Sequence, residues 1–188
     1  SIALAARRVD ETRFSAAAFT SLGRDHLDFH GDMDRYVAAK VRLFSELLAS
    51  GGTAVLWGDD PAIPAAADVR SDVTTWTCGL SEGDLHLEDV QWSATGTRGR
   101  LVTPVGSVRI RLPLTGHHNA SNALIAAGGC LAAGLGLDSV AAGLEAVPVI
   151  PGRLELVPGD GGPTVLVDYA HTPGALETVL GALRPLTS

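Results

Sequence analysis

The chain has thirteen arginines but a single lysine, Lys40, so any chemistry that needs a primary side-chain amine falls to that residue. At spacings of three and four it shares a helical face with Tyr36, Leu43 and Leu47. A lysine in an apolar stripe has two readings. Its stem packs while the ammonium snorkels to water, or desolvation lowers its pKa until the neutral amine adds CO2 and becomes a carbamate, an oxygen ligand for Mg²⁺. Fourteen residues earlier, His26 lies in Arg24-Asp25-His26-Leu27-Asp28-Phe29-His30-Gly31, a loop expected at the end of a strand, where active-site groups of α/β sheets collect. Asp25, His26, Asp28 and His30 are equally readable as hydrogen-bonded loop residues. The spacing of His26 and His30 also permits a zinc pair, although the metalloprotease form has Glu after the first His and this chain has Leu27.

Asn119 and Asn122 open a predicted helix, where Asn caps as readily as it binds. Asp168 and His171 follow a predicted strand, and an aspartate at such an end suits hydroxyl recognition; both are also ordinary strand-end polar residues. The phosphate loop G-x-x-x-x-G-K-[ST] does not occur, and with Lys40 the sole lysine its amine is not supplied elsewhere in these residues.

The elements that must position these groups read as α/β. A strand is expected over Ala17–Leu22 and a helix over Asp32–Leu48, capped by Asp32 and ended by Gly51 and Gly52. Thr53–Trp57 and Val73–Gly79 have the form of buried parallel strands. Leu85–Leu112 changes to β-branched segments broken at Gly96, Gly99 and Gly106, an antiparallel meander. Helices are predicted over Asn119–Ala133 and Asp138–Ala146. Pro148-Val149-Ile150-Pro151-Gly152 is a stiff breaker, which sets a boundary between a domain over 1–150 and the start of another over 151–188. In the latter, Thr164–Tyr169 reads as a buried strand and Pro173–Leu183 as a helix with proline in its first turn.

Composition narrows the class. With 46% apolar residues the chain can bury a core, and a formal charge of −7 argues against a nucleic-acid partner. Two distant cysteines, Cys78 and Cys130, fit a reducing compartment, here the cytoplasm. The apolar stretch Ala120–Leu137 is interrupted by Asn122 and glycines, so no membrane partner is expected.

The order of four motifs is more specific than any of them alone. Phe19-Thr-Ser-Leu-Gly-Arg-Asp-His26-Leu-Asp-Phe-His-Gly-Asp-Met with Tyr36-Val-Ala-Ala-Lys40, preceded by Arg7-Arg8-Val9, is followed by Leu114-Thr-Gly-His-His-Asn119-Ala-Ser-Asn122. Gly152-Arg153-Leu-Glu and Val167-Asp168-Tyr-Ala-His171-Thr-Pro173 come last. Together they resemble the central domain and the start of the C-terminal domain of the Mur ligases, and within that family the member that adds the third residue of the peptidoglycan stem peptide. The resemblance implies a mostly parallel sheet flanked by helices, a small antiparallel subdomain, and the first βα unit of a Rossmann-like C-terminal domain. It implies ATP and Mg²⁺ as cofactors, with His26 and an N6-carboxylated Lys40 on the metal, Asn119 and Asn122 on the adenine, and Arg153, Asp168 and His171 on the rest of the nucleotide. Arg8 would contact a UDP-MurNAc-dipeptide substrate, although Ala6 stands where the family has Gln. Relative to the family, the phosphate loop, a glutamate ligand just before Ser1 and most of two flanking domains are expected to be missing. The polypeptide alone is then expected to be inactive and, with a sheet edge uncovered, prone to self-association. A folylpolyglutamate synthetase-like ligase and a non-catalytic nucleotide-binding module are the competing readings.

Overall fold

A computed structural model describes residues 1–23, 26–67, 69–148, 150–157, 159 and 162–184. Arg24, Asp25 and Val149 of the motifs above therefore lie outside the described residues.

The first layer is a parallel sheet of β1 (Phe14–Phe19), β2 (Leu48–Trp57) and β3 (Thr74–Cys78), in that order. The two faces of β2 explain the two halves of the core, because successive side chains point to opposite sides of a strand. Ala54 and Leu56 face the single π-helical turn Leu43–Leu47, which continues α3 (Met33–Arg42), and α4 (Ala62–Ala66), in a cluster with Phe19, Phe44, Leu48 and Ile63. Val55 faces α5 (His117–Ala132), in a cluster that continues into the antiparallel sheet through Leu87, Leu101, Ile110 and Leu112 and into α6 (Leu137–Glu145). Helix α5 lies close to the sheet because its buried face is small: a Cβ on Gly128 would come within 2.7 Å of Val55 Cγ1.

The antiparallel sheet is the expected meander, β4 (His86–Ser93), β5 (Gly96–Thr103) and β6 (Gly106–Leu112). Short helices α1 (Ile2–Ala5) and α2 (Leu27–His30) precede α3. Asp32 caps α3 as expected, accepting the Arg35 amide at 2.8 Å, and α7 occupies Pro173–Leu183.

Three expectations are corrected. The first strand begins three residues earlier than predicted and ends at Phe19, so Thr20–Gly23 are loop. Gly51 and Gly52 do not end the helix: the chain leaves the π turn at Leu48 and enters β2 directly, with the glycines inside that strand. Gly52 permits close backbone approach, since a Cβ there would sit 2.9 Å from both the Ala49 and Ser15 carbonyl oxygens, where the β1–β2 register shifts, whereas Gly51 takes a left-handed φ of 73. The strand expected over Thr164–Tyr169 shortens to β8 (Val165–Val167) and is not buried, with Val165 and Val167 48% and 45% exposed. It pairs antiparallel with β7 (Glu155–Val157), a strand the periodicity did not reveal because three residues are too few to show alternation.

Candidate active site

Lys40 lies on α3 with Tyr36 one turn before it, as the spacing requires. The side chain is half-buried. Its Nζ donates to the Ser21 carbonyl at 2.7 Å and stands 5.2 Å from the Phe19 ring centroid and 4.9 Å from that of Tyr36. The ring faces and the carbonyl suit a cation. They also tie α3 to the end of β1, from which the loop to His26 departs. Beside the amine is a hollow of ≈ 190 Å³ lined by Ser1, Leu4, Thr20 and Lys40 among others, room for the one carbon and two oxygens of a carbamate.

His26 stands exposed at the head of α2 with a left-handed backbone, φ 54. His30, four residues on, is buried against Tyr36 and Phe29 with Nε2 3.0 Å from Ser1 Oγ. The zinc-pair reading fails on that geometry, since the second imidazole is committed to packing. Among the described residues no three His, Cys, Asp or Glu side chains converge as a metal cage. A carbamate oxygen on Lys40 would be the donor type a hard divalent cation takes, but His26 does not line the hollow beside that amine.

The second group sits around the head of α5. Asn119, Asn122 and Arg153 line one hollow of ≈ 230 Å³ whose other walls are mostly apolar, including Leu112, Leu114 and Ile150. Asn119 is buried and its amide donates to the Thr115 carbonyl at 2.7 Å, a local bond that fixes the helix entrance. Asn122 is exposed to the hollow's mouth. An apolar slot with a few convergent amide and guanidinium groups is the chemistry that a planar heterocycle requires.

The third group is held together by backbone amides. Asp168 accepts from the Leu154 amide at 3.0 Å and the Ala170 amide at 2.8 Å. Tyr169 N–H donates to the Gly152 carbonyl at 2.8 Å. The carboxylate therefore fastens the Arg153 turn, where Leu154 has φ 48, to the end of β8. His171 is exposed, its Nδ1 2.9 Å from the Tyr169 carbonyl oxygen. Arg8 is exposed in the N-terminal segment. That segment is anchored by Arg42, which donates to Asp10 at 2.8 Å, to Glu46 at 2.9 Å and to the Leu4 carbonyl. The Arg42 hydrogen bond holds the Asp10 carboxyl below its ordinary value.

One residue was in a quoted motif without a role. His118 is half-buried at the α5 entrance, and its Nδ1 is buried with no hydrogen-bond partner among the described residues. Burial pushes its pKa down, opposed by the Asp168 charge and aided by those of Arg153 and His117. It is the link between the second and third groups. The only sequence signal was a pair of histidines ahead of Asn119.

The Mur ligase middle domain profile matches residues 1–130. The UDP-N-acetylmuramoyl-L-alanyl-D-glutamate--2,6-diaminopimelate ligase of Gloeobacter violaceus is 46% identical over 185 residues, covering 97% of this chain and 37% of that protein. The chain thus spans little more than a third of the length of such relatives. A solved structure of a ligase of the same name superposes over 100% of this chain and 39% of the other, with TM-score 0.78 and 31% identity. The folylpolyglutamate synthase of Mycobacterium tuberculosis, solved with ADP and AMPPCP, covers 90% of this chain and 39% of its own, with TM-score 0.70 and 28% identity.

Proposed function

Since the chain belongs to the Mur ligase family through its middle domain, we propose that it is the metal-side and adenine-side part of an ATP-dependent amide-forming ligase of peptidoglycan precursor synthesis. The substrates are UDP-MurNAc-L-Ala-D-Glu and a third amino acid, for which the relatives' names give 2,6-diaminopimelate, and the compartment is the cytoplasm. The domain assignment that goes with this reading is 1–150 for the central domain and 151–188 for the start of the next.

The single observation that carries it is the apolar hollow that gathers Asn119 and Asn122 of α5 with Arg153, about thirty residues further along the chain. In the reaction a substrate carboxylate attacks the γ-phosphate of ATP, and the amine of the amino acid displaces phosphate from the acyl phosphate to give the amide. Asn122 and Arg153 grip the adenine, with Asn119 holding the helix entrance in place. Asp168 keeps the Arg153 turn in register and, from there, reaches the ribose, with His171 on the phosphate side. Arg8 contacts the nucleotide-sugar peptide. His26 and N6-carboxylated Lys40 hold Mg²⁺, which supplies charge compensation where two anions meet.

The test uses the 188-residue chain and an adenine nucleotide followed by calorimetry. Asn122→Ala is expected to weaken binding by about tenfold, the loss of one or two buried hydrogen bonds. Unchanged binding in that variant would remove the assignment. Without a phosphate-loop lysine among these residues, ATP-dependent amide formation by this polypeptide alone is expected to be absent.

The contacts of the Lys40 amine with Ser21 and two rings favour a second reading, a nucleotide-binding module without turnover, in which that lysine stays unmodified. Gentle intact-mass analysis separates the two. The ligase reading requires the added mass of one CO2, abolished in Lys40→Arg.

A further inference from the structure

The outer face of the antiparallel sheet carries a charge arrangement that the ligase reading does not use. Alternation puts Arg98 and Arg100 on one face of β5 and Arg109 and Arg111 on the same face of β6, all exposed. The register sets them directly opposite one another, Arg98 against Arg111 and Arg100 against Arg109. Like charges so placed destabilise a sheet. A chain with 21 carboxylate side chains could neutralise them, yet only Arg100 is paired, with Glu88 opposite it on β4. Among the described residues no carboxylate lies within ion-pair distance of Arg98, Arg109 or Arg111.

The two acids nearby are turned to other uses. Glu145 Oε1 accepts the backbone amide of Arg111 at 3.0 Å. Asp89 sits in a β-bulge with φ 52. That bulge brings the amide side chain of Gln91, and not a carboxylate, opposite Arg98, the kind of re-aiming bulges perform beside sites. Gln91, Arg98, Arg109 and Arg111 line a hollow of ≈ 370 Å³, with Asp89 and Glu145 at its wall. A second hollow of ≈ 330 Å³, walled by Trp92 and Ser93, adjoins it across Arg98 and Arg111.

We propose that this face binds a compact, multiply charged phosphate anion of the pyrophosphate class, held by Arg98, Arg109 and Arg111. Spacing selects that class. Residues two apart on a strand are about 6.7 Å apart and opposite residues about 5 Å, so the four charges act within one Debye length of about 8 Å at physiological salt. Such a cluster concentrates on one small polyanion, whereas an extended polyanion needs a basic track that a chain of net charge −7 does not continue. Guanidinium forks meet the oxygens of a phosphate in pairs and several can share one group. The anion is either free pyrophosphate or the diphosphate of a nucleotide.

Calorimetric titration of the intact chain with inorganic pyrophosphate, ADP and adenosine tests this. Saturable binding of pyrophosphate or ADP is expected to weaken at least about tenfold in R98Q/R111Q, two charge-assisted contacts being lost, and only partly in R98K/R111K, which keeps charge without forks. Circular dichroism checks that both variants stay folded. Pyrophosphate bound alone identifies the free ion, and ADP bound alone, with the loss in R98Q/R111Q, identifies the nucleotide. N122A is expected to leave pyrophosphate binding unchanged, which separates this site from the adenine hollow. The proposal is overturned if neither phosphate ligand saturates the wild-type chain, if R98Q/R111Q binds as well as wild type, or if an acidic peptide binds more tightly than both.

Discussion

His118 is the residue whose protonation the fold opposes most clearly. Its Nδ1 is enclosed without a hydrogen-bond partner among the described residues, and its folded pKa is depressed below the ordinary 6.5 chiefly by burial. For a base with a depressed folded pKa, the unfolded chain takes up the proton first. The contribution of His118 to stability is therefore complete above 6.5 and is lost as pH falls through the folded value. Urea midpoints measured from pH 7.5 down to 5 are expected to fall below about 6.5 in the wild-type chain. In His118→Phe that segment of the profile is expected to flatten, while a profile identical to wild type would show that another group is responsible. Lys40 is the contrasting case at this scale. Its place in an apolar stripe was legible from spacing alone, but its partner, the Ser21 carbonyl, was not, because a loop oxygen leaves no trace in composition.

Among the elements, α5 decides how closely the two cores approach each other. Its two adjacent glycines look alike in the sequence yet face opposite surroundings. A methyl group at Gly128 would press on Val55, so Gly128→Ala is expected to destabilise the chain by about 1–3 kcal/mol through overpacking. At Gly129 nothing lies within 4 Å of the added carbon, so Gly129→Ala is expected to stabilise by up to about 1 kcal/mol from helix propensity. Denaturant unfolding of the two single variants checks the opposite signs. The long periodic elements α3, α5, α6 and α7 and the meander were legible, since each repeats its pattern over several turns or hairpins. What failed were features set by a neighbour: Gly52 inside β2, required by the Ser15 carbonyl, the π turn that replaces the end of a helix, and β7, which exists only by pairing with β8. Asn119, Asn122 and Arg153 were each named from motifs, but their convergence on one hollow needed coordinates.

For the whole molecule, the relevant feature is where apolar surface remains. Val165 and Val167 on β8, Tyr169 after it, and Leu176 and Leu180 on α7 are all at least 45% exposed. Strand β1 forms one edge of the parallel sheet. Exposed apolar side chains of this number favour association. Light scattering after size exclusion is expected to show species larger than a monomer that increase with concentration, and Leu176→Glu with Leu180→Glu to shift them toward the monomer. A monodisperse monomer at all concentrations would count against this.

Arg42 has a consequence at the same scale. One guanidinium serves Leu4, Asp10 and Glu46 together, so the stretch from Leu4 to Asp10 is fastened to α3 through one side chain, while Ser1 is held separately at His30. Whatever loosens that side chain, acid that protonates Asp10 included, frees the stretch from Leu4 to Asp10 as one unit and offers it to a protease.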